Sequence, residues 1–246
     1  MTAEGLIDTT EMYLKAAYEL EEDGVIPLRA RIADRLGQSP PTVSQTVSRL
    51  ERDGLLELDD DRHLVLSERG RRRAVRVMRK HRLAEVLLER VIGLDWATVH
   101  IEACRWEHVM SEEAERRIFD LCGKPRYSPY GAPIPGLAEF DATVEPVRVP
   151  SGVRALSEAL PGGRARLYRI SERIQEDSAF LRALREAGIV PGAELEFAPD
   201  ANRVEVRTET GALTIERRQA AMLLVGDPTG DRAPAGTPDS RLASSR

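Results

Sequence analysis

Residues 37 to 41 read GQSPP, and this stretch restricts the folding options of the chain more than any other. Proline locks φ at about −65° and offers no backbone N–H, so two in a row fit an α-helix only in its first turn. Ser39 precedes them and suits the N-cap, and Val43, Val47 and Leu50 recur at helical spacing in PPTVSQTVSRLERDG. Upstream, PLRARIADRLG, opened by Pro27, reads as a short helix stopped at Gly37. Only Gly37, Gln38 and Ser39 are left to join the two helices. Before them, Thr9 or Thr10 can cap a helix through EMYLKAAYELEEDG, which Gly24 ends. After them, LLEL and RHLVL are short extended runs separated by DDD, a hairpin pattern. Helix, tight turn, second helix and hairpin in that order predict a winged helix-turn-helix.

The second helix of the pair bears short polar groups on its exposed side: Ser39, Thr42, Ser44, Gln45, Thr46 and Ser48, with Pro41 in the same DNA-facing set. Hydroxyls of this length reach phosphates, and Gln45 can pair with an adenine edge in a major groove. Arg29, Arg31 and Arg49 add phosphate contacts. The alternative is a solvated helix in some other bundle. Net charge is −5, from 36 basic and 41 acidic residues, which argues against nonspecific coating of nucleic acid. Charge is uneven, however: ERGRRRAVRVMRKHR (68–82) is basic, whereas EEDG (21–24) and DDD (59–61) are acidic. DNA contact therefore has to come from a local surface. No apolar run approaches the roughly 18 residues that cross a bilayer. MTAEGLIDTTEMYLK lacks a basic segment followed by an apolar one, and two cysteines make no disulfide framework, so the chain reads as cytoplasmic.

A long helix is expected over 67–91, with Val75, Met78, Leu83, Leu87, Leu88 and Val91 on its apolar side, broken by GLDW (93–96). HIEACRWEH opens the next helix, and MSEEAERRIFDLCG (110–123) reads as a third, with Ser111 as cap. Three helices with wide apolar faces and no sheet exceed what one small core requires, and a homodimer interface accounts for the excess. KPRYSPYGAPIPG (124–136) and VEPVRVPSG (144–152) are proline-rich, extended, and read as a linker. Beyond them RARLYRI, VPGAELEF, NRVEVRT and GALTIER read as strands and DSAFLRALREAG as a short helix, a small β-rich domain ending near Gly226. The last stretch, DPTGDRAPAGTPDSRLASSR, has no core-forming residues and reads as disordered. The chain is thus mainly α with a small β domain: a winged helix-turn-helix over 1–74, a helical unit over 75–142, a linker over 143–152, the β unit over 153–226 and a tail over 227–246.

HIEACRWEH places His100, Cys104, Glu107 and His108 at offsets of 0, 4, 7 and 8. At about 100° per residue these fall within roughly 100° of arc, one stripe of a helix where Leu or Val is usual. His81 and Glu85 repeat the theme at i, i+4 on the preceding helix. His100 and His108 would stand about 12 Å apart along a helix, too far for one ion with bonds of about 2.0–2.3 Å. Spacing alone divides the donors into His81, Glu85 and His100 for one ion and Cys104, Glu107 and His108 for another. Each residue also has a plain structural reading: Cys104 as a small buried hydrophobe, the histidines as partners of carboxylates, the glutamates as solvated.

DTTEMYLKAAYELEEDGVIPLRARIADRL, PTVSQTVSRLERDGLL, VMRKHRLAE, EACRWEHVMSEEAERR and PIPGL resemble the iron-dependent regulators of the diphtheria toxin repressor type, closely over residues 6–137 and more weakly beyond. The resemblance implies a helical metal-binding dimerisation domain and a C-terminal SH3-like β-barrel. It implies a primary, activating metal site of Met12, Cys104, Glu107 and His108. It also implies an ancillary site of His81, Glu85 and His100, completed by Glu172 and Gln175 from the SH3-like domain. Two departures stand out: Pro40 replaces a family glycine, and Ala132 replaces the Asn of an anion pocket whose Arg and Ser are matched by Arg82 and Ser128.

The function so implied is an Fe(II)-activated homodimeric repressor with two ions per subunit, on inverted-repeat operators of iron-uptake and siderophore genes, two dimers to an operator in relatives. Soft Met and Cys donors suit Fe(II), with Co(II), Ni(II), Zn(II) or Mn(II) as surrogates in vitro. The alternatives are a manganese-responsive regulator, a regulator whose metal is structural, and a metalloenzyme using Glu107 as base. No additional nucleophile or phosphate loop supports an enzyme, and neither a membrane nor a small organic substrate is expected.

Overall fold

The computed structural model describes residues 8–159 and 162–227. The amino-terminal reading at residues 1–7 and the expected disorder of 228–246 lie outside the described residues. Helix α1 spans Thr9–Glu22. Its cap is Asp8 rather than either threonine: the Asp8 carboxylate accepts from the backbone N–H groups of Thr10 at 2.8 Å and Glu11 at 3.3 Å. A carboxylate at this end also meets the positive pole of the helix dipole. Helix α2, Arg29–Leu36, starts two residues after Pro27 and ends at Gly37, whose left-handed φ of 60° suits glycine. Helix α3, Pro40–Arg52, begins at the first of the two prolines, and Ser39 caps it by accepting from the Thr42 N–H. Strands β1 (Leu56–Leu58) and β2 (Leu64–Leu66) pair antiparallel. Leu14, Leu20, Ile32, Val43, Val47, Leu50, Leu56 and Leu64 form one core beneath them. Each such side chain contributes about 1.5–3 kcal/mol on burial. The winged helix-turn-helix is therefore present.

Helix α4, Glu68–Leu87, is followed by a π-helical turn, Leu88–Ile92, where the sequence suggests one uninterrupted α-helix to 91. The wider turn closes through left-handed Gly93, with the Leu94 N–H returning to the Leu88 carbonyl at 2.9 Å. Helices α5 (Val99–Trp106) and α6 (Glu112–Leu121) follow, α6 capped by Ser111. Much of the basic run on α4 is paired with acidic side chains, at the surface for Arg71 and Arg73 and in the interior for Arg79 and Arg82. Arg71 pairs with Glu21, Arg73 with Asp8, Arg79 with Glu115 and Arg82 with Glu22.

The stretch 124–136 is not a free linker. Tyr130, Ala132 and Ile134 are buried, the Tyr130 hydroxyl donates to the Trp96 carbonyl at 2.6 Å, and Trp96 Nε1 donates to the Pro129 carbonyl at 3.2 Å. Proline here shapes a packed segment, because its neighbours Tyr130 and Ile134 are apolar enough to enter the core.

The carboxy-terminal part is a six-stranded antiparallel sheet in the order β3-β8-β4-β5-β6-β7. Its strands are β3 (Arg154–Ala155), β4 (Gly163–Ile170), β5 (Glu194–Asp200), β6 (Arg203–Arg207), β7 (Ala212–Glu216) and β8 (Leu223–Gly226). Helix α7, Ser178–Glu186, buries Phe180, Leu181 and Leu184 against it, and the short α8, Arg217–Ala220, precedes β8. One core runs from α4 (Ala84), the π-helical turn (Leu88) and α5 (Val99, Ala103) through Trp96 and Tyr130 into the sheet (Leu167, Ile170, Leu223). That continuity sets a turn of the β unit against the middle of α4. No helix among the described residues is long and apolar enough to cross a membrane.

Candidate metal centre

Four segments converge between α1, α4, α5 and a 3-10 turn, Glu172–Ile174, that follows β4. His81 and Glu85 stand one turn apart on α4, with His81 Nε2 to Glu85 Oε1 at 2.9 Å. His100 comes from the first turn of α5, its Nδ1 3.1 Å from His81 Nε2 and 3.2 Å from Glu85 Oε1. Glu172 Oε2 approaches both rings, at 3.4 Å from His81 and 3.5 Å from His100. One ligand atom from each of His81, Glu85, His100 and Glu172 lies within 4.8 Å of the others, and all four residues are buried. Glu85 Oε2, Glu172 Oε2 and Gln175 Oε1 are buried oxygens with no hydrogen-bond partner, while Gln175 Nε2 donates to the Ile170 carbonyl at 2.8 Å. Leaving a buried acceptor unpaired costs about 1–3 kcal/mol, more when it is charged. Two imidazoles beside orphaned carboxylate oxygens fit a borderline divalent cation.

Cys104 forms an overlapping group with the same two rings, its Sγ 3.6 Å from His100 Nε2 and 4.0 Å from His81 Nδ1. His81 thus faces both ways: Nε2 toward Glu85 and Glu172, Nδ1 toward Cys104 and Glu107, with Glu107 Oε2 at 2.6 Å. Met12, Lys15, Cys104, Glu107 and His108 line a cleft of about 450 Å³ that also touches Asp34 and Glu176. The four-residue stripe expected from HIEACRWEH does not run on one helix. Helix α5 ends at Trp106, Glu107 is its C-cap, and His108 falls in the turn beyond. The Val109 and Met110 N–H groups both return to the Trp106 carbonyl at 3.1 Å, which closes the helix early. His108 Nδ1 consequently sits 2.8 Å from Glu11 Oε2, and its Nε2 lies 3.3 Å from Glu107 Oε1.

The electrostatics suit cation capture. Burial raises the Cys104 thiol, but the Lys15 ammonium and the two imidazoles outweigh it and bring the thiol down to about 6. Burial likewise opposes ionisation of Glu107, and Lys15 with His81 holds it at about 2. Glu172 is kept well below the ordinary carboxylate range, against its burial, by His81, Arg82 and His100. Burial would lower His100, yet Cys104 and Glu85 lift it to about 9. Cys104, Glu107 and Glu172 are thus favoured as anions by the positive groups around them.

Four side chains that the sequence reading does not single out, Lys15, Glu19, Arg35 and Glu176, border this site. Lys15 Nζ lies 2.7 Å from Glu107 Oε2 and 3.2 Å from His81 Nδ1. Glu19 is held by Arg35 of α2 at 2.8 Å, and Arg35 reaches on to Glu176 at 2.7 Å. A signal was available: Met12, Lys15 and Glu19 share one face of α1 at spacings of 3 and 4.

The anion-pocket residues are placed otherwise. The Arg82 guanidinium donates to Glu172 Oε1 at 3.0 Å, to the Glu22 carboxylate at 2.5 and 3.1 Å, and to the Pro133 carbonyl at 2.5 Å. Ser128 Oγ accepts from the Tyr130 N–H, and Ala132 is fully buried. On α3, Ser39, Pro41, Thr42, Ser44, Gln45 and Arg49 are exposed and Thr46 half-buried; Arg29 opens α2, half-buried, and the Arg31 guanidinium is turned back to the Ile26 carbonyl at 2.6 Å.

Residues 5–64 match the family described as "Iron dependent repressor, N-terminal DNA binding domain". Residues 67–136 match "Iron dependent repressor, metal binding and dimerisation domain", and 154–226 match "FeoA domain". The iron-dependent repressor IdeR of Mycobacterium tuberculosis is 55% identical over 193 residues, covering 77% of this chain and 84% of that one. The diphtheria toxin repressor of Corynebacterium glutamicum is 52% identical over 206 residues, covering 82% and 88%. Among solved structures, IdeR of T. acidophilum is similar with a TM-score of 0.71 at 30% identity, over 90% of this chain and 99% of that one. With its helix-turn-helix, its buried histidine–carboxylate cluster and its SH3-like sheet all in the same order, the chain belongs to the iron-dependent repressor family of metal-dependent transcriptional repressors.

Proposed function

We propose that the protein is an Fe(II)-activated repressor that acts in the cytoplasm as a homodimer on inverted-repeat operators of iron-uptake genes. The observation that carries this reading is that α1, which leads into the DNA-binding helices, lines the same cleft as Cys104 and Glu107. We assign Met12, Cys104, Glu107 and His108 to a primary ion. His81, Glu85, His100, Glu172 and Gln175 go to an ancillary one, giving two ions per subunit. Bound Fe(II) would supply positive charge that ties α1 to α5. Thioether and thiolate donors favour iron over manganese, although a manganese-dependent transcriptional repressor is also structurally similar, with a TM-score of 0.76 at 27% identity over 89% of this chain.

The chain's own residues do the rest. Met12 and Glu11 anchor the first turn of α1 to the cleft and to His108. Ordering such a turn costs about 1–2 kcal/mol per residue. Linkage to an ion at a hundredfold excess over its Kd offsets this by about 2.7 kcal/mol, a roughly hundredfold change in the population that can bind DNA. Ser39, Pro41, Thr42, Ser44, Gln45, Thr46, Arg29 and Arg49 then face the duplex, two α3 helices entering successive major grooves. Val91, Ile92, Val109 and Leu121, exposed around α5 and α6, supply the apolar dimer face. The three working parts are 1–74, 75–142 and 153–226, joined by 143–152. Saturation of Arg82 by Glu22 and Glu172 leaves little for an anion at the pocket of Arg82 and Ser128, and Arg82 is assigned to linking α1 with the β unit.

Met12→Ala and Cys104→Ala are expected to abolish Fe(II)-dependent operator binding in an anaerobic gel shift while circular dichroism stays unchanged. Normal metal-activated binding by both variants would refute the ligand assignment. Titrating a chelator into the wild-type complex should release DNA reversibly; irreversible unfolding would instead mark the metal as structural.

A further inference from the structure

The buried ammonium of Lys15 sits where positive charge is most wanted. It is 6% exposed, donates to Glu107 Oε2 at 2.7 Å, and has His81 Nδ1 at 3.2 Å and Cys104 Sγ at 3.9 Å. Two side chains assigned to the primary ion, Glu107 and Cys104, and one assigned to the ancillary ion, His81, thus already face a cation belonging to the chain. A second observation concerns Glu19, one turn further along α1. Its Oε2 is taken by Arg35, but its Oε1 is buried without a hydrogen-bond partner, 3.9 Å from the same Nζ. A shift of roughly 1 Å brings Nζ into hydrogen-bond range of that oxygen. The cleft beside it, bordered by Glu19, Asp34 and Glu176, has room for the movement.

We propose that Lys15 is the resident cation of the primary site: its ammonium pairs with Glu107, beside Cys104, until a divalent ion enters, and then transfers to Glu19 Oε1. The inference rests on the assignment of Cys104 and Glu107 as metal ligands. Its physical basis is that the buried carboxylate of Glu107 cannot hold both an ammonium and a divalent ion without strong repulsion between the two cations in a low-dielectric site. Lys15 therefore does two things. It keeps the donor cluster assembled in the absence of metal, and it sets the concentration of metal at which the site fills. Glu19 is tied to α2 through Arg35, so the transfer also reports metal occupancy to the helix preceding the recognition helix.

The test is an equilibrium titration of the full-length protein with Co(II), followed by the thiolate-to-cobalt charge-transfer absorption that only a cysteine-ligated ion gives. Lys15→Met, which keeps the length and removes the charge, is expected to tighten Co(II) binding by at least about tenfold. Lys15→Arg, which retains a cation, should stay within about threefold of wild type. Glu19→Gln, which keeps an acceptor for Arg35 but removes the charge that receives Lys15, should weaken binding about fivefold. Unchanged or weaker binding by Lys15→Met would mean that the ammonium supports Glu107 in the loaded site as well, and overturns the proposal. Should Lys15→Met fail to fold, Glu19→Gln decides: wild-type affinity there overturns the proposal equally. Cys104→Ala separates the two levels, because a surviving charge-transfer band in that variant removes the ligand assignment itself. Hydrogen exchange in the absence of metal gives an independent readout, with faster exchange across α1 expected in Lys15→Met and not in Lys15→Arg.

Discussion

Cys104 and Cys122 are both half-buried free thiols, and their surroundings alone separate them. At Cys122 burial outweighs the opposing charge of Arg90 and pushes the thiol up to about 11, whereas Lys15 and the two histidines bring Cys104 down to about 6. At pH 7 and without metal, iodoacetamide is expected to modify Cys104 well before Cys122, and Lys15→Met to narrow the gap; equal rates by mass spectrometry would contradict the geometry. Glu107 allows a pH prediction of definite sign. Its carboxyl is held at about 2 against an ordinary 4.5, so its contribution to stability is complete above about pH 4.5 and is lost as pH falls through about 2. Glu107→Gln should therefore flatten the acid-unfolding curve across that window. Residue identity made the donors legible, since His, Cys and Glu are rare together on a helix face. It did not reveal Lys15, which reads as an ordinary solvated lysine until α4 and α5 enclose it.

Local signals settled most of the helices and their ends. Ser39, Pro40 and Pro41 specify the start of α3, Ser111 that of α6, and Gly37 the end of α2, because caps, prolines and left-handed glycine act within a few residues. The signals failed where a long-range contact intervened. Residues 124–136 look like a linker because proline is extended anywhere, yet Tyr130 docks on Trp96, a residue 34 positions earlier. Gly70 is a similar case. It sits in the first turn of α4 with a helical φ, and a Cβ there would lie 1.9 Å from the Leu55 carbonyl oxygen. Gly70→Ala should push α4 away from β1 and lower stability by about 1–3 kcal/mol, measurable by denaturant titration. A neutral substitution would show that α4 is free to move.

The β unit is fastened to the end of α1 as well as to the histidine–carboxylate cluster. Asp23, its side chain 3% exposed, pairs with Arg169 at 2.8 Å and Arg173 at 2.9 Å and accepts from Ser171 Oγ at 2.5 Å. Arg169 also donates to the Glu22 carbonyl at 2.6 Å. Breaking a buried pair from one side costs about 3–5 kcal/mol, because the remaining charge keeps its burial without its partner. Asp23→Ala should accordingly loosen the β unit, speed proteolysis within 143–152, and raise the Co(II) requirement, since Glu172 lies between Ser171 and Arg173. Unaltered proteolysis would mean that the shared apolar core, not this clamp, holds the two parts together.

Periodicity, caps and paired prolines are properties of neighbours along the chain, and from them the helix-turn-helix, the wing, the β-rich end and the ligand types could all be read. Which charge faces which was beyond that reach. The partnership of Lys15 with Glu107, of Arg82 with Glu22 and Glu172, and of Asp23 with Arg169 joins residues 60 to 146 positions apart. Such distances leave no trace in local pattern, and only burial within one folded core brings the groups close enough, in a dielectric low enough, for their charges to matter.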